Sequence, residues 1–157
     1  MKTLDYTHLD ASSAKKTIDA LKQLLADYQI FYTNLRGLHW NIKGKKFFHL
    51  HEKFEEMYDD TAAKVDEVAE RILMLGGVPA HNFSEYLKIS TFKESGYISD
   101  AGESMKLILD SYSALIKSQR SILELAGEGS DEATVAMMSD YISEQEKTVW
   151  MLVAYLS

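Results

Sequence analysis

The chain has 157 residues, with 17 Lys or Arg against 24 Asp or Glu and a formal net charge of -7. That length suits one domain, residues 1–157, and the acidic balance argues against wholesale binding of phosphate backbones, which needs a net basic surface or arm. The absence of cysteine excludes disulfides and thiol chemistry and fits a cytoplasmic setting; no run reaches the 18 apolar residues of a membrane span, and the start, MKTLDYTHLD, lacks a signal-peptide core.

A single proline, Pro79, and abundant Leu, Lys, Glu, Ala and Met predict an all-α chain. From about Asp10 or Ser12, apolar residues recur at helical spacing (Ile18, Leu21, Leu24, Leu25, Tyr28, Phe31, Leu35, Leu38), with Ser12 or Ser13 as N-cap. This first helix runs to about residues 40–42 and stops near KGKK, where Gly44 is a natural terminator. A second starts near residues 46–47, carries Phe47, Leu50, Phe54, Met57, Tyr58, Val65, Val68, Ile72 and Leu73, and ends at LGGVP. Residues 77–97 are the longest irregular connection, and SEYLKIS within them reads as one short helix. The third long helix follows a cap at Ser99 or Asp100 and runs to about Ala126. GEGSDE then breaks the chain, and the fourth runs from about Asp131 to Leu156. Short breaks make neighbouring helices antiparallel, whereas the long connection can cross the bundle and set the second and third parallel. The predicted fold is a ferritin-like four-helix bundle with a short extra helix in the long connection between the second and third helices.

Metal-capable side chains concentrate in the second helix. Relative to His51, Glu55 falls at about 40° around the axis, Asp66 at about 60° and Glu70 at about 100°. His51 with Glu55 and Asp66 with Glu70 are i,i+4 pairs, the spacing at which two helical side chains reach one ion. Such oxygen-rich ligation with one or two imidazoles suits iron or manganese, and zinc less exclusively. The pair midpoints are 15 residues apart, about 22 Å along the axis, so one ion cannot bridge them. A single site from all four residues therefore needs a second copy of the chain. An antiparallel neighbour about a two-fold axis near residues 60–61 brings Asp66 and Glu70 of one copy opposite His51 and Glu55 of the other, and does so twice. His39, at the end of the first helix, could point to the same place. Each pair alone also reads as solvated surface, and His39 beside Trp40 as a satisfied buried histidine.

The stretch LRGLHWNIKGKKFFHLHEKFEEMYDDTAAKVDEVAERILMLGG resembles the Dps family, the twelve-subunit mini-ferritins named for DNA protection in starved bacteria, and the resemblance extends over essentially the whole chain. In that pattern a His–Trp pair is followed at +12 by His, at +16 by an acid, at +27 by Asp and at +31 by Glu; here these are His39, His51, Glu55, Asp66 and Glu70. The departure is at +16, where aspartate is common and this chain has the longer Glu55. His49 lies at no ligand offset, about 200° behind His51. The resemblance implies a homo-oligomer, a dodecamer, with ferroxidase sites at two-fold dimer interfaces: His39, His51 and Glu55 from one subunit, Asp66 and Glu70 from its mate. It implies oxidation of Fe(II), preferentially by hydrogen peroxide, and ferric storage inside a hollow shell, with zinc or manganese as other ions for the same site. Trp40 would serve as a nearby electron donor or as interface packing.

An ordinary ferritin site within one subunit needs Glu-x-x-His, and none of the five histidines has Glu three residues before it. The resemblance also implies acidic iron-entry pores near the start of the last helix, for which Glu124, Glu128, Asp131, Glu132 and Asp140 are candidates, with a solvated acidic loop as the other reading. Direct DNA binding is expected to be weak or absent, because only Lys2 precedes Lys15 and VAYLS carries no basic extension. The rival reading is a DNA-compacting nucleoid protein with a vestigial metal site.

Overall fold

The computed structural model describes residues 1–157 and contains helices only. They are α1 (Leu4–Thr7), α2 (Ala11–Asn41), α3 (Phe47–Met74), α4 (Phe83–Ile89), α5 (Ala101–Glu128) and α6 (Glu132–Leu156). The four long helices and the short α4 match the sequence reading. The single turn α1 was not anticipated, since four residues are too few for periodicity to register. None of the helices is long and apolar enough to cross a membrane.

Local chemistry sets the ends. Asp10, rather than Ser12 or Ser13, caps α2 by accepting a hydrogen bond from the Ser13 amide at 2.7 Å. The two serines fall inside the first turn, where their own amides are among those needing an acceptor. Asp100 caps α5 in the same way, accepting from Glu103 N at 2.9 Å. Past α3 the chain turns at Gly76, whose φ of +84° lies in the left-handed region that favours glycine. At Gly77 a Cβ would sit 2.8 Å from Ile18 Cγ2 and 2.9 Å from Ile72 Cγ2, so only glycine lets α2 and α3 close there. Asp131 caps α6 through Thr134 N at 3.0 Å and also pairs with Arg71 of α3 at 2.5 Å. It is buried and engaged by Arg71 and Thr134, which removes it from the candidates for an acidic pore. Glu124, Glu128, Glu132 and Asp140 are exposed.

Contacts fix the directions. His39 meets His51 and Tyr32 meets Tyr58, so α2 and α3 run antiparallel. Tyr28 meets Gln119 and Phe31 meets Tyr112, so α2 and α5 are antiparallel too, which leaves α3 and α5 parallel, as a crossover requires. The crossover is laced to α2 by two buried polar residues. Asp27 accepts from Ser90 Oγ and Thr91 N, and Asn34 donates to the Lys93 carbonyl and accepts from Ser95 N. α2 supplies much of the core, including Leu21, Leu24, Leu25, Tyr28, Phe31, Leu35 and Leu38, against Phe54 and Ile72 of α3 and Ile108 and Leu115 of α5. Each such side chain contributes about 1.5–3 kcal/mol on burial.

Candidate metal centre

α2 ends at Asn41, so the carbonyl of His39 in its last turn has no partner within the helix. His51 supplies one: its Nδ1–H donates to the His39 carbonyl at 2.8 Å, and His39 Nδ1–H donates back to the His51 carbonyl at 2.7 Å. A carbonyl can only accept, so each ring carries a proton on Nδ1, and Nε2 is the ring nitrogen left for an ion. An imidazole anchored through one nitrogen and available at the other is the usual arrangement of a ligating histidine. The rings are stacked with centroids 3.7 Å apart and planes 20° from parallel. Phe47 stacks on His51 at 5.0 Å, and Tyr58 meets His39 edge-on at 5.3 Å. His39 is only 7% exposed. The KGKK turn thus joins two histidines twelve positions apart into one rigid unit.

Glu55, one turn past His51, is exposed and accepts from the Tyr58 hydroxyl at 3.3 Å. Desolvation, and then the charge of Glu55, raise the Tyr58 phenol above its ordinary range. Asp66 and Glu70 are not brought to this cluster. They lie on the same exposed face of α3, three to four turns further on, and neither forms an ion pair or side-chain hydrogen bond. Within one chain no three His, Asp or Glu side chains are close enough to hold an ion. His49 points away from the centre, onto an apolar groove of about 460 Å³ that it lines with Leu50, Met105 and Tyr155. Trp40 is 62% exposed with Arg36 over its ring at 4.6 Å.

The middle of the bundle holds different chemistry. Tyr28 Oη accepts from Nε2 of both Gln119 and Gln145 at 2.7 Å, and burial pushes this phenol far above its ordinary range. The Lys64 ammonium lies between Asp60 at 2.5 Å and Glu144 at 2.9 Å. Its burial alone would lower its pKa, but the hydrogen bonds and charges of the two acids outweigh this and raise it. A neutral amide–phenol network and a fixed cation occupy the space where an intrasubunit di-iron site would need carboxylates and imidazoles.

Two features escaped the sequence reading. Tyr58 counted only as a core position, although its place three residues after Glu55 allows contact on the helix surface. Leu73 also counted among the apolar face of its helix but is 52% exposed. It lies about 40° from His51 around α3, on the outward arc with the acids rather than on the core side.

Residues 18–157 match the Ferritin-like domain family. A DNA protection during starvation protein of Porphyromonas gingivalis is 49% identical over 98% of this chain and 97% of its own length. The crystal structure of a Dps protein from Vibrio cholerae, described as a member of a broad superfamily of ferritin-like diiron-carboxylate proteins, superposes with a TM-score of 0.93 at 56% identity, covering 95% of this chain and 94% of that one. A Dps protein from Bacillus brevis gives a TM-score of 0.90 at 32% identity, covering 95% of this chain and 100% of that one.

Proposed function

Because the chain belongs to the Dps family of ferritin-like proteins, we propose that it is a cytoplasmic mini-ferritin. It oxidises Fe(II), with hydrogen peroxide as preferred oxidant, at sites completed across a dimer interface, and it stores the ferric product in a hollow shell of twelve subunits. The carrying observation is the outward face of α3, with His51 and Glu55 at one end, His51 locked to the buried His39 of α2 through reciprocal Nδ1 bonds, and unpartnered Asp66 and Glu70 at the other end. A two-fold axis between residues 60 and 61 of antiparallel α3 helices pairs His51 with Glu70 and Glu55 with Asp66. The same register sets Asp59 against Ala62, and Phe48, 82% exposed in the isolated subunit, against Leu73. The two large apolar side chains would close each end of the contact beside a site.

Iron is the substrate. His39 and His51 through Nε2, with Glu55, are the ligands one subunit supplies, and Asp66 and Glu70 are those of the mate, so that neither chain holds the ion by itself. The carboxylates favour the ferric state as positive charge builds. Two Fe(II) each give one electron to one peroxide, whose O–O bond breaks and which leaves, with two protons, as two waters. No hydroxyl radical is released. Zinc and manganese suit the same donors and act as competitors. Anaerobic loading with Fe(II) followed by limiting peroxide tests this reading: two Fe(II) are oxidised per peroxide, with no spin-trapped radical, in a particle sized at twelve subunits. One Fe(II) per peroxide with radical release would contradict it.

The name of the P. gingivalis relative concerns DNA protection, which keeps the DNA-compacting reading as the alternative. Here the charge of -7 per subunit makes an assembled shell repel duplex at neutral pH. Protein assembled to its full size is expected to leave duplex DNA unretarded in a low-salt gel; tight retardation would favour the compaction reading.

A further inference from the structure

Tyr58 touches both halves of the intrasubunit cluster. Its ring meets His39 of α2 edge-on at 5.3 Å, and its hydroxyl donates to Glu55 of α3 at 3.3 Å. Tyr32 of α2 packs edge-on against the same ring at 6.0 Å, and Arg36 lies over Tyr32 at 5.3 Å, so Tyr58 is buttressed from the neighbouring helix. Glu55 is otherwise exposed and has one more rotatable bond than an aspartate would have there. That extra torsion must be frozen whenever its carboxylate binds an ion. A hydroxyl held in place by packing removes part of this freedom in advance, as supporting groups around a metal site do.

We propose that Tyr58 is a positioning residue that holds the Glu55 carboxylate one turn past His51, so that the longer acid works at this position because a fixed hydroxyl restrains it. The inference rests on the metal-centre reading above. It implies that residues 55 and 58 act as a unit, with the hydroxyl mattering only when the acid is long enough to reach it.

A double-mutant cycle tests this directly. Wild type, Tyr58→Phe, Glu55→Asp and the double variant are assembled metal-free and titrated anaerobically with Co(II). The visible ligand-field absorption of Co(II) reports both occupancy and geometry. Tyr58→Phe keeps the ring on His39 and Tyr32, and a circular-dichroism melt checks that it folds as wild type does. In the wild-type background it is expected to raise the Co(II) dissociation constant about fivefold, the size of one net hydrogen bond, and to shift the absorption bands. With Asp at 55 the same change is expected to alter the constant by less than about twofold, because the shorter carboxylate falls outside reach of the hydroxyl. Equal effects in both backgrounds, or no effect in either, would overturn the role given to Tyr58 while leaving the metal centre standing. Wild type with no Co(II) signal that is lost on His51→Ala would overturn both.

Discussion

Asp66→Ala slows peroxide-driven Fe(II) oxidation by about 100-fold or more and leaves subunit stability within about 0.5 kcal/mol of wild type. The two halves of this expectation have separate causes. Asp66 is exposed and forms no ion pair or side-chain hydrogen bond in its own chain, so removing it disturbs nothing that holds the bundle together. Its proposed work is done on the other side of a two-fold axis, beside Glu55 of the mate. Loss of even an indirect supporter of a metal ligand costs about 10- to 100-fold, and loss of a ligand costs at least as much. Asp59→Ala is the matched control: another exposed acid on the same face of α3, but one that the two-fold register sets against Ala62. Its rate should stay within about twofold of wild type, as for a surface change away from any site. Stopped-flow absorbance of the ferric product, alongside thermal melts, reads both variants.

The helices were legible because their apolar residues repeat at 3.6 and their breaks carry glycine; α2 and α3 end within a residue or two of the expected points. The parallel course of α3 and α5 followed from the length of the 77–97 connection alone. His49 could be set aside on helical phase, and the structure places it on an apolar groove that His51 does not line. The reciprocal bonds between His39 and His51 were not legible. They depend on how α2 and α3 cross, and on a helix-end carbonyl left free, neither of which is a property of residue type or spacing. The contact of Tyr58 with His39 depends on the same crossing. Leu73 was misplaced for another reason: an apolar residue in a helix is assigned inward by default, although its phase, about 40° from His51, already sets it with the acids, and its exposure agrees. Asp66 and Glu70 have no visible task within the chain; the proposed pairing of the face they share with His51 against a copy of itself would give them one.

The complementary defect makes the strongest prediction. A site assembled from two subunits fails if either contributor is damaged, but a damaged half in one chain can be matched with an intact half in another. His51→Ala damages the histidine half that a subunit contributes and Glu70→Ala damages the carboxylate half. In a pair containing one of each, one of the two sites combines both lesions and the other combines two intact halves. If the variants mix freely at equal amounts, half of the pairs are mixed, so about a quarter of the wild-type sites should return.

Co-expressing differently tagged His51→Ala and Glu70→Ala chains, purifying the mixed shells through both tags, and measuring their peroxide-driven Fe(II) oxidation therefore tests most directly whether each site spans two chains. The expected result is activity of about a quarter of wild type or somewhat more in mixed shells, against near-zero activity in shells of either variant alone. Mixed shells as inactive as the separate variants would mean that each chain needs all its ligands in itself, and would contradict the shared site.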